Sequence, residues 1–373
     1  MKGRRGRLRW VWAVVLALAL SGTACAEDGF AWPQADRPRE WSFPRDFGAH
    51  PAYRTEWWYF TGNLRDAEGG RYGYQFTVFR VALRPEPARP QNPWSVRDVF
   101  LAHLAVTDGP GGAFRYADRA SRPGPGLAGA EPDDLEVWVL DWEARRGEDG
   151  VIRVRAREGE FGVDLELTPR KPPVLHGAGG LSRKGPRPGQ ASYYASLTDL
   201  ATRGRVRTPR GEREVTGTSW FDQEFGSNQL AEDQAGWDWV SLHLSDGRDL
   251  MLYVLRRTDG AVEPASSGTL VGPDGTPKHL PWGSFELTPL AHWTSPRSGG
   301  RYPIRWRVRV PWAGIDLTVD PLLQDQELVT SGTTGVTYWE GAVWGSGASA
   351  GEPVTCEGYV ELTGYAGNLG GIF

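Results

Sequence analysis

Carboxyl groups stand among large aromatic side chains in two short segments of the sequence. The segments are Glu56-Trp57-Trp58-Tyr59 and Trp220-Phe221-Asp222-Gln223-Glu224-Phe225. On a strand Asp222 and Glu224 share one face, because side chains two residues apart point the same way. Two carboxyls so placed can divide into a protonated acid and an ionised base. They can also hydrogen-bond the junction between two domains, and the sequence favours this second interpretation.

Glu56 comes at the start of a strand that is otherwise filled by rings. If the side chain turns inward, burial would raise its pKa, as a general acid requires. The alternative is a carboxylate that caps the strand at its rim. We therefore name Asp222, Glu224 and Glu56 as the candidate catalytic residues.

The chain has 18 tryptophans but only two methionines. A barrel with rings on its inner wall encloses a wide apolar cavity, which would take a hydrophobic small molecule as ligand. Ordinary core packing explains any single ring, but the clusters as a set favour the cavity. Neighbouring strand residues point to opposite faces, so Trp57 and Trp58 cannot both enter one core. The rings expected to bind the ligand are Trp57, Trp58, Tyr59, Trp220, Trp237 and Trp239.

Other kinds of site find little support in the sequence. The six histidines form no pair with metal-ligand spacing, and the only cysteines are Cys25 and Cys356, so we expect no metal site. A phosphate-binding loop, a dinucleotide fingerprint and a G-x-S-x-G motif are all missing. No cofactor is therefore expected. His103 and His243 lie in apolar strand contexts that are typical of core histidines.

The elements that must position these residues are short strands. Period-two alternation recurs, as in residues 72–78, and turn residues such as Asp246-Gly247 separate the alternating segments. Many short antiparallel strands predict an all-β fold of barrels or sandwiches.

A weak internal repeat divides the chain. Residues 58–80 resemble residues 239–256, and residues 152–167 resemble residues 306–319 in the same order. Two matches in one order indicate two copies of one meander, although chance similarity between strand pairs is a competing explanation. A boundary near residues 226–236 then separates an N-terminal domain, 40–228, from a C-terminal domain, 233–373.

Residues 1–26 have the pattern of an export signal. Five basic residues precede an apolar run from Trp10 to Leu20, too short to span a bilayer, and small residues follow up to Ala26. Cleavage after Ala26 is expected, with lipidation of Cys25 as the alternative. Cleavage removes five of the 42 basic residues and none of the 46 acidic ones, which leaves a net charge of −9. That charge disfavours a nucleic-acid partner. We expect an exported protein, periplasmic or extracellular, with no integral membrane segment in the mature chain.

Several motifs along the chain match a known family in combination. They are His50-Pro51, Glu56 to Gly62, Ala102 to Asp108, Ser192 to Ser196, Gly217 to Phe225, Gly236 to Trp239, Tyr338 to Val343 and Gly358 to Tyr365. In these the chain resembles the AttH-like, carotenoid 1,2-hydratase-related family of secreted lipocalin-like proteins. The resemblance covers nearly all of the mature chain. It implies two tandem lipocalin-like antiparallel β-barrels, and the motifs add His103 and Tyr194 to the expected ligand contacts.

The resemblance implies a cofactor-free hydro-lyase activity, because carotenoid hydratases of this family add water across a terminal isoprenoid double bond. An acid protonates the alkene, rings stabilise the carbocation, and water captures it. Those hydratases have a His-Asp-His-Asn-like stretch where this chain has residues 221–224. Asp222 carries over, whereas Gln223 departs from the pattern because an amide transfers no proton at neutral pH. The alternative is a non-catalytic carrier of an isoprenoid, polyene or acyl lipid, or an accessory protein of an exporter-type permease.

Overall fold

The computed structural model of the protein describes residues 32–85, 96–367 and 369. Within these residues the chain forms 23 strands, two short 3-10 helices (Arg45–Phe47 and Pro311–Ala313) and no α-helix. The predicted all-β fold class is therefore confirmed. The signal segment, residues 1–26 with Cys25, lies outside the described residues. No helix in the described part is both long enough and apolar enough to cross a membrane.

The first antiparallel sheet occupies the N-terminal part of the chain. Its strands are β1 Thr55–Arg65, β2 Arg71–Ala82, β3 Asp98–Asp108, β4 Ala113–Ser121, β5 Ala128–Ala130, β6 Glu136–Val139, β7 Trp142–Arg146, β8 Ile152–Glu158, β9 Phe161–Pro169, β10 Val174–Leu175, β11 Leu181–Arg183, β12 Ala191–Thr208 and β13 Gly211–Asn228. Their order is β4-β3-β2-β1-β13-β12-β9-β8-β7-β6-β5, and β10 and β11 also pair with β12. The sheet curls until its ends approach: the guanidinium of Arg119 on β4 lies 4.1 Å from the ring centroid of Trp142 on β7.

The second antiparallel sheet follows. Its strands are β14 Gln234–Leu244, β15 Asp249–Arg257, β16 Ser267–Val271, β17 Pro277–Pro281, β18 Glu286–Thr294, β19 Arg301–Val310, β20 Ile315–Pro321, β21 Glu327–Val329, β22 Thr337–Ser349 and β23 Glu352–Leu362. Their order is β17-β16-β15-β14-β23-β22-β20-β19-β18, with β21 beside β22. The two edge strands, β17 and β18, are joined by only the four residues 282–285. Both sheets are thus curled, nearly closed, lipocalin-like barrels, as the resemblance implied.

The two barrels repeat one strand order. The path β2-β1-β13-β12-β9-β8 of the first corresponds to β15-β14-β23-β22-β20-β19 of the second. Both sequence matches fall on equivalent hairpins, because residues 58–80 and 239–256 cover β1–β2 and β14–β15, and residues 152–167 and 306–319 cover β8–β9 and β19–β20. The chain changes sheet between Asn228 and Gln234. From Trp32 onward it packs as one compact unit, and the division into domains 40–228 and 233–373 stays a prediction.

Apolar side chains fill the inside of each barrel. Trp58, Phe60 and Trp142 belong to the core of the first barrel, and Trp306 and Trp339 belong to that of the second. The prediction that the aromatic cavity lies on the inner wall of a barrel is therefore wrong. The interior is packed with side chains, and the cavity lies between the barrels instead.

The outer faces of the barrels pack against each other. Their apolar contact consists of Tyr59, Tyr194, Trp220, Leu230, Trp239, Met251, Tyr253, Leu255, Ala342 and Tyr359. Hydrogen bonds cross the same interface: Asn63 Nδ2 donates to the Gly358 carbonyl oxygen at 2.8 Å, and Thr107 Oγ1 donates to Gln326 Oε1 at 2.8 Å. Strands such as β1 and β13 consequently bury both of their faces.

Gly73 marks a close approach of the two barrels. A Cβ atom at this position would lie 2.6 Å from the Ala342 Cβ and 2.7 Å from the Tyr359 hydroxyl oxygen. We expect Gly73→Ala to lower the free energy of unfolding by about 1–3 kcal/mol, because the Ala342 methyl group is fixed to its strand and the sheets must separate. Denaturant unfolding measures the change, with Thr288→Ala on exposed β18 as control. An unchanged unfolding midpoint for Gly73→Ala would contradict the tight contact.

Candidate active site between the two barrels

A cavity of about 110 Å³ lies at the interface of the barrels. Engineered apolar cavities of about 150 Å³ take up one benzene molecule. The enclosed part of a ligand is therefore about one ring or one isoprenoid terminus. The apolar and aromatic lining consists of Trp57, Tyr59, Phe79, Tyr194, Leu230, Trp237, Trp239, Tyr253, Leu255, Val336 and Tyr338.

Strand alternation brings these side chains together. Trp58 and Phe60 of β1 point into the first barrel, so Trp57 and Tyr59 point out of it and into the cavity. The same rule sends Asp222 and Glu224 of β13 to the cavity, while Phe221 joins the barrel core. Both carboxyls therefore share a face, as the sequence spacing predicts.

The internal repeat places a second carboxyl opposite the first. Tyr59 on β1 pairs with Asp222 on β13, and Trp239 on β14 pairs with Glu361 on β23. Because β1 and β13 are equivalent to β14 and β23, Glu361 is the counterpart of Asp222. Each barrel contributes one such carboxyl to the shared cavity.

Asp222 is 3% exposed and is held by three neutral donors. Trp220 Nε1 donates to Oδ1 at 2.5 Å, the Tyr194 hydroxyl donates to Oδ2 at 2.6 Å, and the Ser196 hydroxyl donates to Oδ1. Burial raises the pKa of Asp222 to about 7, although these three hydrogen bonds lower it. The protonated and ionised forms of Asp222 are therefore both populated in the cavity at neutral pH.

A hydrogen-bonded chain leads away from Asp222. The Ser196 hydroxyl lies 2.7 Å from His176 Nε2, and His176 Nδ1 lies 2.8 Å from Thr269 Oγ1. Burial lowers the pKa of His176 to about 3, so its ring is neutral and has one donor and one acceptor nitrogen. The ring therefore joins the two hydroxyls into one chain, which fixes the orientation of Ser196 towards Asp222.

Glu224 differs from Asp222 because it has a cationic partner. Lys184 Nζ lies 2.9 Å from its Oε1, and the Ser192 hydroxyl donates to the same oxygen. The Lys184 ammonium also lies 4.2 Å from the ring centroid of Tyr253. Burial alone would lower the pKa of Lys184, but the charge of Glu224 outweighs it and the pKa is raised. The pair is therefore a buried salt bridge in the cavity wall.

The second barrel has a pair of carboxyls where the first has a hydroxyl and a carboxyl. Ser196 pairs with Asp222 across β12 and β13, whereas Glu340 pairs with Glu361 across β22 and β23. Trp237 Nε1 donates to Glu361 Oε2 at 2.8 Å. Burial raises the pKa of Glu361 to about 7, and burial followed by the charge of Glu361 raises the pKa of Glu340 well above its ordinary value. Burial therefore favours the protonated form of Glu340.

Eight of the site residues predicted from the sequence line the cavity, and Trp220 supports Asp222 from beside it. The eight are Trp57, Tyr59, His103, Tyr194, Asp222, Glu224, Trp237 and Trp239. His103 Nδ1 lies 2.8 Å from the Tyr338 hydroxyl, and burial lowers the pKa of His103 to about 3. The prediction that Trp58 contacts the ligand is wrong, because its side chain faces the core of the first barrel. Its Nε1 donates to the Phe47 carbonyl oxygen at 2.9 Å.

The prediction that Glu56 is a catalytic residue of the cavity is also wrong, because its carboxylate lies outside the cavity. It accepts hydrogen bonds from the His50 backbone N–H at 2.9 Å, from Gln223 Nε2 at 3.1 Å and from Arg80 Nε at 3.3 Å. Burial alone would raise the pKa of Glu56, but the charge and hydrogen bonds of His50, with Arg80, lower it. An ionised carboxylate held this way is no general acid. Gln223 belongs to the same network. The residue at which this chain differs from the hydratase pattern therefore does not line the cavity.

Sequence reasoning missed the acidic residues of the second barrel and Lys184. Glu340 and Glu361 lie in motifs that carried the family resemblance: Glu340 directly follows Trp339, and Glu361 comes two residues after Tyr359. Extending the internal repeat to β22 and β23 could have found them. Lys184 comes from the segment between β11 and β12 and gives no such signal. In the described part of the chain, no three His, Cys, Asp or Glu side chains are grouped as metal ligands.

Comparisons with known proteins decide the family. A family model described as AttH-like matches residues 34–365. The chain belongs to the AttH-like family. The crystal structure of a Nitrosomonas europaea protein described as AttH resembles this AttH-like protein with a TM-score of 0.79 at 34% identity, covering 89% of this chain and 99% of that one. Kievitone hydratase from Nectria haematococca shares the fold, with a TM-score of 0.65 at 17% identity over 91% of this chain and 99% of that one. A search of curated proteins finds no match.

Buried carboxyls of the AttH-like protein differ in how completely they are paired. Both oxygens of Glu340 lack a hydrogen bond, whereas Glu327 accepts from Ser295 Oγ at 2.5 Å and from the Tyr302 hydroxyl at 2.9 Å. We expect Glu340→Leu to leave the free energy of unfolding unchanged or raise it by about 1 kcal/mol, because an unpaired buried group is removed. Glu327→Leu should lower it by about 3–5 kcal/mol. Denaturant unfolding of both variants makes the comparison, and equal destabilisation would contradict it.

The raised pKa of Asp222 predicts a pH-dependent stability difference. The folded state holds the proton more tightly than the unfolded chain, so this stabilisation is complete below the ordinary pKa of 3.8 and is lost as the pH rises through about 7. Asp222→Asn cannot ionise and escapes this loss. We expect the melting temperature of the variant minus that of the wild type to increase from pH 4 to pH 8. The exposed Glu214→Gln on the same strand is the control, and a difference that shrinks over that range would refute the assignment.

Proposed function

We propose that this protein is a cofactor-free hydratase, which adds water to a carbon–carbon double bond of a hydrophobic ligand held between the barrels. The ligand classes that fit the lining are isoprenoids, polyenes and acyl lipids. The observation that carries the proposal is the position of Asp222, which is buried in an aromatic cavity that raises its pKa to about 7. A carboxyl group whose pKa lies near the working pH can act as a general acid.

The reaction needs only the proton of Asp222 and one water molecule. The carboxyl proton forms a new C–H bond with one alkene carbon, and the electron pair of the double bond is used in that bond. The other carbon becomes a carbocation, which the faces of Trp57, Tyr59, Trp237 and Trp239 stabilise by cation–π attraction. Water then forms the C–O bond, and its surplus proton returns to the Asp222 carboxylate. The acid is regenerated, and the alkene has become an alcohol.

One further observation supports this proposal over a carrier role. The hydrogen-bond donors to Asp222 are neutral, whereas Arg80 and His50 hold Glu56 in the ionised form. The fold likeness to kievitone hydratase agrees with a hydratase, although at 17% identity it speaks for the fold alone. We propose in addition that the protein acts after export, in the periplasm or outside the cell, because residues 1–26 have the pattern of a signal. An exporter-type permease as partner stays a conjecture from the family resemblance.

Incubation in H₂¹⁸O tests the hydratase directly. An acyclic carotenoid, farnesol and an unsaturated acyl ester are supplied in turn, and mass spectrometry measures ¹⁸O in the product alcohol. Asp222→Asn should reduce the rate by about 10²- to 10⁴-fold, because general acid catalysis is lost. The rate of the wild type should fall above pH 7, where Asp222 loses its proton.

The exposed Glu214→Gln on β13 is the matched control and should keep the wild-type rate. If no label enters any product while the wild type and Asp222→Asn bind the same compounds equally, the hydratase proposal fails. The protein would then be a carrier, and solvent extraction of the purified protein with mass spectrometry would identify its lipid.

A further inference from the structure

The wall formed by the second barrel contains polar atoms without partners. Glu340 is 1% exposed, and both of its carboxyl oxygens lack a hydrogen bond. The Tyr59 hydroxyl lies beside the Glu340 carboxyl and interacts with it electrostatically, but no hydrogen bond of normal geometry joins the two groups. An unpaired buried polar group costs about 1–3 kcal/mol, and most buried polar groups in proteins are paired. Both side chains line the cavity, so a group of the ligand can supply the missing partner.

The charge of the cavity restricts what that group can be. Its described lining includes the carboxyls of Asp222, Glu224, Glu340 and Glu361, and the ammonium of Lys184 is its single cation. Lys184 is already paired with Glu224 at 2.9 Å. A carboxylate or phosphate on the ligand would lose its hydration in a buried space whose one cation is already paired, which is strongly unfavourable.

We infer that Glu340, Glu361 and the Tyr59 hydroxyl form a second polar subsite, which accepts the hydroxyl or amine of an uncharged or cationic apolar ligand and rejects anionic ones. The inference rests on the proposed function in one respect, which is that the same ligand also places its reacting double bond at Asp222. The hydrogen-bond donor of that ligand then binds Glu340. An isoprenoid alcohol satisfies both requirements. An isoprenoid diphosphate or a free fatty acid fails the second.

The asymmetry of the repeat supports this division of roles. At the position of Ser196 in the first barrel, the second barrel has Glu340. Ser196 completes the hydrogen bonding of Asp222, whereas Glu340 leaves its own oxygens open. One carboxyl site is therefore satisfied within the protein, and the other is left to be satisfied by a ligand.

A matched series of probes tests the subsite. Farnesol, farnesylamine and farnesoic acid share one hydrocarbon chain, and quenching of tryptophan fluorescence at pH 8, where farnesoic acid is ionised, measures their dissociation constants. Farnesol and farnesylamine should bind the wild type about tenfold or more tightly than farnesoate. Farnesoate binding as tightly as farnesol, or no binding of farnesol and farnesylamine, would overturn the subsite.

Two variants test whether Glu340 and the Tyr59 hydroxyl cause the preference for farnesol and farnesylamine over farnesoate. Glu340→Leu should weaken the binding of farnesol and of farnesylamine by about tenfold, because the acceptor is gone, and should thereby reduce their preference over farnesoate. Tyr59→Phe removes only the unpaired hydroxyl and should weaken farnesol binding by about tenfold, while Glu214→Gln should change nothing. A preference unchanged in both Glu340→Leu and Tyr59→Phe would refute the assignment. Asp222→Asn should keep the preference for farnesol and farnesylamine over farnesoate. A negative hydration assay would therefore contradict the hydratase but not the subsite. Loss of the preference in the wild type would contradict the subsite but not the hydratase.

Discussion

The structure depends on the burial of the outer faces of two barrels against each other. A lipocalin-like barrel ordinarily buries one face of each strand in its core, and the other face meets water. Here β1 and β13 place Phe60 and Phe221 inside the first barrel, and they turn Tyr59 and Asp222 towards the second. Carboxyls that would be solvated on a single barrel are thereby desolvated, and their pKa values rise for that reason. The raised pKa values are a property of the pair of barrels and not of either one.

Completeness of hydrogen bonding separates structural from functional carboxyls in this protein. Glu56 and Glu327 are fully buried, and each is surrounded by donors and close to a cation. Such groups stabilise the fold as long as the whole network is present. Glu340 is as deeply buried, but its oxygens receive no hydrogen bond of normal geometry, although the Tyr59 hydroxyl lies beside them. A carboxyl group kept in that state lowers the free energy of unfolding, and binding of a ligand is the physical reason we assign to it.

The repeat explains how one fold produces a cavity with two unlike walls. Equivalent strands β1 and β14 each present two rings, Trp57 with Tyr59 and Trp237 with Trp239, on the face that meets the other barrel. Facing copies of one pattern make a cavity that is aromatic on both sides. Differences between the copies, above all Ser196 against Glu340, then give each wall its own chemistry.

The sequence by itself determined the strands, the repeat and the faces of the side chains. Alternation with a period of two is local, so it places Asp222 beside Glu224 and separates Trp57 from Trp58 without knowledge of the fold. It also predicted most of the lining, because those residues lie in dense aromatic segments. Which side of a strand is the inside of a barrel, and what covers the other side, depends on contacts between residues far apart in the chain. Only the tertiary structure therefore decided that the cavity lies between the barrels, that Glu56 is held ionised by His50 and Arg80, and that Glu340 and Glu361 face Asp222 across it.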